Sequence, residues 1–163
     1  MFCSKALMEF LPNIHLIGMF TMLFAIIFRF KALIPIYIFV FVDGIYLFLK
    51  GYSFGFLSWW IPYLYIWTIL WAVTMLLPRK IPNKLAMIIY PIICALHGLS
   101  FGTLCAPTHA LIFGLDYEQT IAWIVIGLPW DAVHAAGNFV AGLLIVPLSK
   151  VLTKLLKSSH ILL

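Results

Sequence analysis

Charged side chains are scarce in this sequence. Only 9% of its 163 residues are charged, whereas 65% are hydrophobic. A water-soluble globular protein needs more polar surface than this to cover its core, so the composition excludes that class. The mean hydropathy of +1.14 indicates an integral membrane protein instead.

Several kinds of functional site are missing as well. The cysteines, Cys3, Cys94 and Cys105, are odd in number and show no C-x-x-C spacing, so we expect buried thiols rather than disulfides or metal ligands. No Walker A sequence is present, and no pair of histidines has ligand spacing on one helix. We therefore expect no metal, no cofactor and no ATP hydrolysis by this chain itself.

The apolar runs and the residues that interrupt them predict a single transmembrane domain over residues 1–163. A membrane-spanning helix takes about 20 apolar residues. Proline, glycine and basic residues end most of the runs. The predicted fold is an all-α membrane protein, a six-helix transmembrane bundle, with spans at 2–11, 16–28, 32–49, 59–77, 85–105 and 130–152.

The first of these spans is short, because only 11 residues precede Pro12. At about 1.5 Å per residue, such a helix crosses about half of a bilayer. Helix 1 is thus predicted to be truncated at its N-terminus. Two explanations stay open: the helix is natively short, or the native chain starts upstream of Met1.

The basic residues predict an orientation, because cytoplasmic loops of membrane proteins are enriched in Lys and Arg. With both termini in the cytoplasm of a multi-pass protein of the cell membrane, Lys50 lies outside, together with Asp116 and Glu118. The net charge of +5 is then explained by topology, and no nucleic acid is expected. The inside would hold Arg29, Lys31, Arg79, Lys80, Lys84, Lys150, Lys154 and Lys157.

Polar residues gather in the predicted outer half of the bundle. Ionisable groups inside a membrane are costly and usually face a cavity or a partner. Asp131, His134 and Asn138 follow one another at steps of three and four, which places them on one helix face. We expect these residues to line an outward-facing binding pocket, together with Asn13, His15, Asp43 and His97.

Several of these polar residues also have a structural interpretation, and His134 could be a hydrogen-bonded histidine of the core. Asp131 could cap the start of the last helix, and Asn138 could tie two helices together. Asp43 could pair with Lys50, and Glu9 with Lys5, which lies one turn away.

Aromatic residues recur at steps of three and four in the fourth span, at Trp60, Tyr63, Trp67 and Trp71. Such a stripe is typical of helix packing. It would also serve as a stacking wall for a planar ligand, and we include Trp60, Tyr63 and Trp67 among the candidate substrate-binding residues.

Three segments resemble the S component of an energy-coupling factor transporter. They are LPNIHL at 11–16, WWIPYLYIW at 59–67, and GLPWDAVHAAGN at 127–138, which follows a G-x-P-x-D-x-x-H-x-x-G-N pattern. The resemblance implies a six-helix subunit that captures a vitamin-like micronutrient near the outer face. Its implied partners are a membrane coupling subunit and two cytoplasmic ATPases. The small-residue pattern A-x-x-x-A of that family's first helix is not found here.

Two other functions remain open from the sequence. A small intramembrane enzyme would use His134 and Asp131 as an acid–base pair. A structural or regulatory membrane protein would use the polar residues only to join helices. An open, aromatic-lined cavity favours the transporter subunit, a closed site with contact between His134 and Asp131 favours the enzyme, and the absence of a cavity favours the third function.

Overall fold

The computed structural model describes residues 1–11, 13–51 and 55–159. Within these ranges the protein is helical, with no strand. Pro12, which ends the first predicted span, lies outside these ranges, as does part of the connection between the predicted spans 32–49 and 59–77. The elements are α1 (Phe2–Leu7), α2 (Ile17–Phe28), a 3₁₀ turn (Arg29–Ala32), α3 (Leu33–Leu49), α4 (Gly55–Leu76), α5 (Asn83–Leu99), α6 (Phe101–Phe113), α7 (Tyr117–Gly142) and α8 (Ile145–Ser158).

Four stretches of the described chain are long and apolar enough to cross a membrane. They cover Ile17–Leu49, Ser58–Leu76, Asn83–Phe113 and Tyr117–Gly142. Many large apolar side chains on these helices are exposed, including Phe41 at 63%. In a water-soluble protein so much exposed apolar surface would be unusual, whereas lipid covers it without cost. The structure is therefore consistent with a multi-pass membrane protein.

The first span predicted from sequence corresponds to the shortest α-helix of the described chain. Helix α1 has six residues, which corresponds to about 9 Å at 1.5 Å per residue. It lies beside the C-terminal half of α3, where the Phe2 ring packs edge-on against Tyr46 at 5.2 Å. A helix of this length does not cross a bilayer, so the described chain has no complete span before α2.

Helices α2, α3 and α4 form one side of the molecule. The α3–α4 pair is antiparallel: the Trp60 indole donates to the Val40 carbonyl, and Phe30 packs on Trp71 at the other end. Helix α2 runs in the same direction as α4. Arg29, which follows the C-terminus of α2, donates from its guanidinium to the carbonyl of Met75 near the C-terminus of α4. The chain therefore reverses at the 3₁₀ turn, where Arg29 has a φ of 54°.

The other side is a long antiparallel hairpin of α5 and α6 against α7. Gly142 lies against Pro91 near its base, and the His109 and Trp123 rings stack at 4.4 Å near its tip. A capping box starts α7: the Asp116 carboxylate accepts from the Gln119 amide, and the Gln119 side chain accepts from the Asp116 amide.

This hairpin corrects the last two predicted spans. The helical stretch that starts at Asn83 continues to Phe113 with Pro107 inside it, rather than stopping at 105. Helix α7 begins at Tyr117, runs through Pro129 and ends at Gly142, rather than covering 130–152. Neighbouring helices allow a membrane helix to tolerate an internal proline, so the rule used to place these breaks was too strict.

Two apolar clusters hold these elements together. One surrounds Trp67 and joins α2, α3, α4 and α6. The other surrounds Met22 and joins α2 to α5, α7 and the start of α8 through Ile145 and Val146. The rest of α8 carries Lys150, Lys154 and Lys157 on its exposed side.

Basic residues gather at one end of the α3–α4 pair. Arg29 and Arg79 line the same small surface recess, beside Tyr90 of α5. The opposite end of this pair is formed by the C-terminal half of α3 and the N-terminal half of α4. It contains the cavity described next.

Candidate functional site

A cavity of about 350 Å³ opens between α1, the turn before α2, α3 and α4. Side chains of α6 and α7, Phe101 and His134, close it at the back. A volume of this order is sufficient for a small molecule. The cavity is lined by Phe2, Lys5, Ala6, Met8, Glu9, Leu11, Asn13, Ile14, His15, Asp43, Tyr46, Leu47, Trp59, Tyr63, Phe101 and His134.

One wall of the cavity carries an ion pair between α1 and α3. The Lys5 ammonium donates to both oxygens of the Asp43 carboxylate, at 2.6 and 2.8 Å. The Asp43 side chain is 1% exposed and that of Lys5 is 24% exposed. A buried carboxylate needs such a partner, because desolvation of an unpaired charge costs several kcal/mol. We call Lys5–Asp43 the wall pair.

A second ion pair lies at the opening of the cavity. The Lys50 ammonium donates to the Glu9 carboxylate at 2.7 and 2.8 Å, and the Tyr46 hydroxyl donates to it at 2.9 Å. The hydrogen bond from Lys50 is the main reason that the pKa of Glu9 lies below its ordinary value. We call Glu9–Lys50 the mouth pair, and its exposure makes it the weaker of the two.

These contacts exchange the partners expected from sequence. The predicted pairings were Asp43 with Lys50 and Glu9 with Lys5, yet the structure joins Asp43 to Lys5 and Glu9 to Lys50. The physical reason is the position of α1. It lies against the face of α3 that carries Asp43, Tyr46 and Lys50, so Lys5 reaches the buried end of this face and Glu9 its exposed end.

The floor of the cavity is aromatic. The His15 and His134 rings meet edge to face at 4.8 Å, and His134 meets Phe101 at the same distance. Tyr63 adds its ring from α4. One ring nitrogen of each histidine, Nδ1 of His15 and Nε2 of His134, is buried and has no protein hydrogen-bond partner among the described residues. Buried polar atoms are normally bonded, so these two are candidate contacts for a bound polar molecule.

Trp67 and His97 lie behind this floor and do not line the cavity. Trp67 is fully buried, with its ring 5.9 Å from that of His15 and 5.5 Å from that of His97. The Nε2 atom of His97 lies 3.2 Å from the Ile66 carbonyl oxygen. Trp60 also lies outside the lining, because its indole is bonded to Val40. Of the predicted aromatic wall, only Tyr63 reaches the cavity.

Asp131 is a helix cap, though not of its own helix. It lies in the middle of α7, and its carboxylate accepts from the Gly102 amide at 3.0 and 3.1 Å. Gly102 is in the first turn of α6, where backbone amides lack a partner within the helix. The alternative role as a cap at the start of its own helix is therefore wrong, since α7 starts at Tyr117 and its N-cap is Asp116.

The close approach of α7 to α5 and α6 depends on two glycines, Gly98 and Gly102. A Cβ on Gly102 would lie 2.5 Å from Asp131 Oδ2, and one on Gly98 would lie 2.9 Å from Asn138 Nδ2. A side chain at Gly98 would also meet the α7 backbone at Ala135, 3.0 Å away, whereas one at Gly102 would displace the Asp131 carboxylate. The G-x-x-x-G spacing marks a tight helix contact here, as it often does in membranes.

Asn138 is fully buried between α7, α2 and α5. Its amide faces Gly18 and Gly98 and has no protein hydrogen-bond partner among the described residues. Asn138 and Asp131 are not part of the cavity lining, whereas His134 is. Of the three polar residues on this face of α7, His134 alone lines the cavity. Asp131 and Asn138 pack against Gly102 and Gly98 in the helix interface instead.

Among the remaining candidates, Asn13 and His15 both line the cavity. Asn13 has a φ of 57°, a left-handed conformation that asparagine adopts more readily than most residues. Sequence reasoning missed Lys5, Tyr46, Trp59 and Phe101 as lining residues. The spacing of Asp43, Tyr46 and Lys50 at steps of three and four was a usable signal for Tyr46.

Comparison of the chain with models of protein families, with curated proteins and with solved structures finds no match. The described residues contain no group of three or more His, Cys, Asp or Glu side chains placed to hold a metal ion.

Proposed function

We propose that this chain is the solute-binding subunit of an importer of the energy-coupling factor type. In this proposal it captures a small vitamin-like molecule from outside the cell in the cavity between α1 and α4. A membrane coupling subunit and two cytoplasmic ATPases would then drive uptake. The single observation that carries the proposal is the cavity itself, which is open, aromatic-lined and supplied with buried polar side chains.

The arrangement of the charges supports the same proposal. The basic recess formed by Arg29 and Arg79 lies at the opposite end of α3 and α4 from the cavity. If that basic end is cytoplasmic, as the enrichment of basic residues indicates, the cavity opens to the outside.

We further propose that α2, α3, α4, α5 with α6, and α7 cross the membrane. Helix α1 then takes the place of the first helix of a six-helix subunit. Because α1 lies beside the C-terminal half of α3, the geometry gives no support for placing Met1 in the cytoplasm.

The two alternative functions are less well supported. The Asp131 carboxylate is bonded to Gly102, and no hydrogen bond joins it to His134 in the described part of the chain. An acid–base pair of these residues therefore has no structural basis. A purely structural protein would have no reason to keep a charged pair and two histidines around a cavity in its core.

Native mass spectrometry of the detergent-purified protein tests the proposal. We expect a small molecule to co-purify with the wild-type chain. Ala6→Trp should displace it, because Ala6 lines the cavity and an indole would occupy much of the space. Ala136→Trp is the matched control, since Ala136 is exposed on α7 and outside the lining.

Retention of the same molecule by Ala6→Trp would place its binding site elsewhere. No associated mass in the wild-type protein, even after incubation with an extract of small metabolites, would count against solute binding as the function.

A further inference from the structure

Lys5 is held in the manner in which proteins bind organic cations. Its ammonium contacts both Asp43 oxygens at 2.6 and 2.8 Å and lies 5.0 Å from the centre of the Tyr63 ring. A carboxylate combined with an aromatic face is a favourable environment for a desolvated positive charge. All three side chains line the cavity.

The two halves of this arrangement differ in how firmly they are placed. Asp43 and Tyr63 are buried side chains of the long helices α3 and α4, 1% and 8% exposed. Lys5 belongs to α1, a six-residue helix with no buried residue. The Asp43 carboxylate and the Tyr63 ring are therefore held in place by packing. The Lys5 ammonium is on a short helix whose displacement would disrupt little buried surface.

We propose that Asp43 and Tyr63 form a cation subsite for which Lys5 is a built-in competitor. The ligand would be an organic cation carrying a flat ring, whose charged nitrogen replaces the Lys5 ammonium. This inference rests on the proposed function, since it names the class of solute that the cavity takes.

The exchange of one cation for another explains why this class is favoured. Asp43 remains paired throughout, so the cost of a lone buried carboxylate is not incurred. A neutral ligand cannot replace the ammonium, and an anion in the cavity would be repelled by Asp43. The aromatic floor of His15, His134 and Phe101 offers rings against which the flat part of the ligand packs.

Three probes of nearly equal size separate the charge classes: benzamidinium (positive), benzamide (neutral) and benzoate (negative). Calorimetric titration of the purified full chain should show benzamidinium binding most tightly. Lys5→Met should tighten benzamidinium about tenfold, because the competitor no longer reduces the binding-competent fraction. Benzamide affinity should stay constant, and the double variant Lys5→Met with Asp43→Asn should lose the gain.

A second measurement uses the wild-type protein, because Lys5→Met leaves a buried carboxylate unpaired and could prevent folding. Acetylation of lysines by an amine-reactive ester is followed by peptide mass spectrometry. Benzamidinium should increase the acetylation rate of Lys5, since displacement releases its amine. The rate at Lys154, an exposed lysine on α8, should not change.

Several results would overturn the inference while leaving solute binding intact. One is benzoate binding that exceeds benzamidinium binding and is lost in Lys5→Met, which would make Lys5 an anion contact. Another is protection of Lys5 from acetylation by benzamidinium. A third is failure of benzamidinium to bind a protein that still co-purifies with a small molecule. If no probe binds and no small molecule co-purifies, the proposed function fails as well.

Discussion

Asp131 shows how a single side chain acts on a helix other than its own. Its carboxylate is the acceptor for the Gly102 amide at the start of α6, and Gly102 has no side chain that would keep α7 away. Within a membrane no water replaces a lost acceptor, so we expect this bond to contribute to the stability of the fold.

Asp131→Leu should therefore destabilise the protein by about 1–3 kcal/mol, the cost of an unpaired buried amide. Asp131→Asn, which keeps an acceptor oxygen, should cost less. Gly102→Ala should also destabilise, because its Cβ would lie 2.5 Å from Asp131 Oδ2. Thermal unfolding in detergent measures all three.

Gly127→Ala is the control for the glycine substitution, because a Cβ on Gly127 meets no atom within 4 Å. Equal unfolding midpoints for Gly102→Ala and Gly127→Ala would contradict the close contact at Gly102.

The buried histidines allow a matched comparison of cavity and interior. His134 lines the cavity, whereas His97 lies behind Trp67 against the Ile66 carbonyl. His134→Phe should reduce the amount of co-purified small molecule, because it removes a polar atom from the cavity floor. His97→Phe should leave that amount unchanged. Native mass spectrometry measures the amount of bound small molecule in both variants. A loss in His97→Phe but not in His134→Phe would show that the cavity floor is not the binding surface.

At the scale of elements, α1 is held at the cavity by charge together with partly buried apolar packing, such as that of Phe2 on Tyr46. It has no buried residue, and the wall pair and mouth pair join it to α3. Its attachment should therefore respond to pH at the exposed pair.

The pKa of Glu9 is lowered in the folded protein by hydrogen bonds from Lys50 and Tyr46. A lowered carboxyl pKa stabilises the docked state above the ordinary value of about 4.3, and this contribution is lost as the pH falls through the lowered value. A spin label on Cys3, which is exposed on α1, should become more mobile below that pH.

Glu9→Gln should give the mobile spectrum already at pH 7 and should remove the acid response. Glu118→Gln, a charge change at the start of α7, should leave the spectrum as in the wild type. A mobility that does not depend on Glu9 would mean that the mouth pair does not hold α1.

At the scale of the whole molecule, the separation of basic end and cavity predicts an orientation. Asn83 begins α5 near the basic end, and Glu118 lies at the tip of the α6–α7 hairpin. In a Cys3→Ser background, an impermeant thiol reagent added to intact cells should label Glu118→Cys and not Asn83→Cys. Cys94 and Cys105 are buried and should stay unlabelled. Labelling at Asn83 from outside would reverse the orientation and would place the cavity on the inner side.

Local patterns in the sequence were sufficient for the helical class and for much of the helix placement. The predicted spans 16–28 and 32–49 coincide within one residue with α2 and α3. An apolar run and the charged residues that end it can be identified from the local sequence alone, without knowledge of the tertiary contacts. The breaks at Pro107 and Pro129 were wrong, since packing against adjacent helices decides whether a proline ends a membrane helix.

Only the tertiary structure decided which polar residues meet. Two acids and two lysines admit either pairing on charge alone, and the position of α1 against α3 selects Lys5 with Asp43 and Glu9 with Lys50. In the same way, helix periodicity placed Asp131 and His134 on one face. The contact at Gly102 then turned Asp131 into a cap and left His134 at the cavity. Which side chains of different helices bind one another depends on the distances between those helices in the folded protein. The spacing of residues along one helix does not specify these distances.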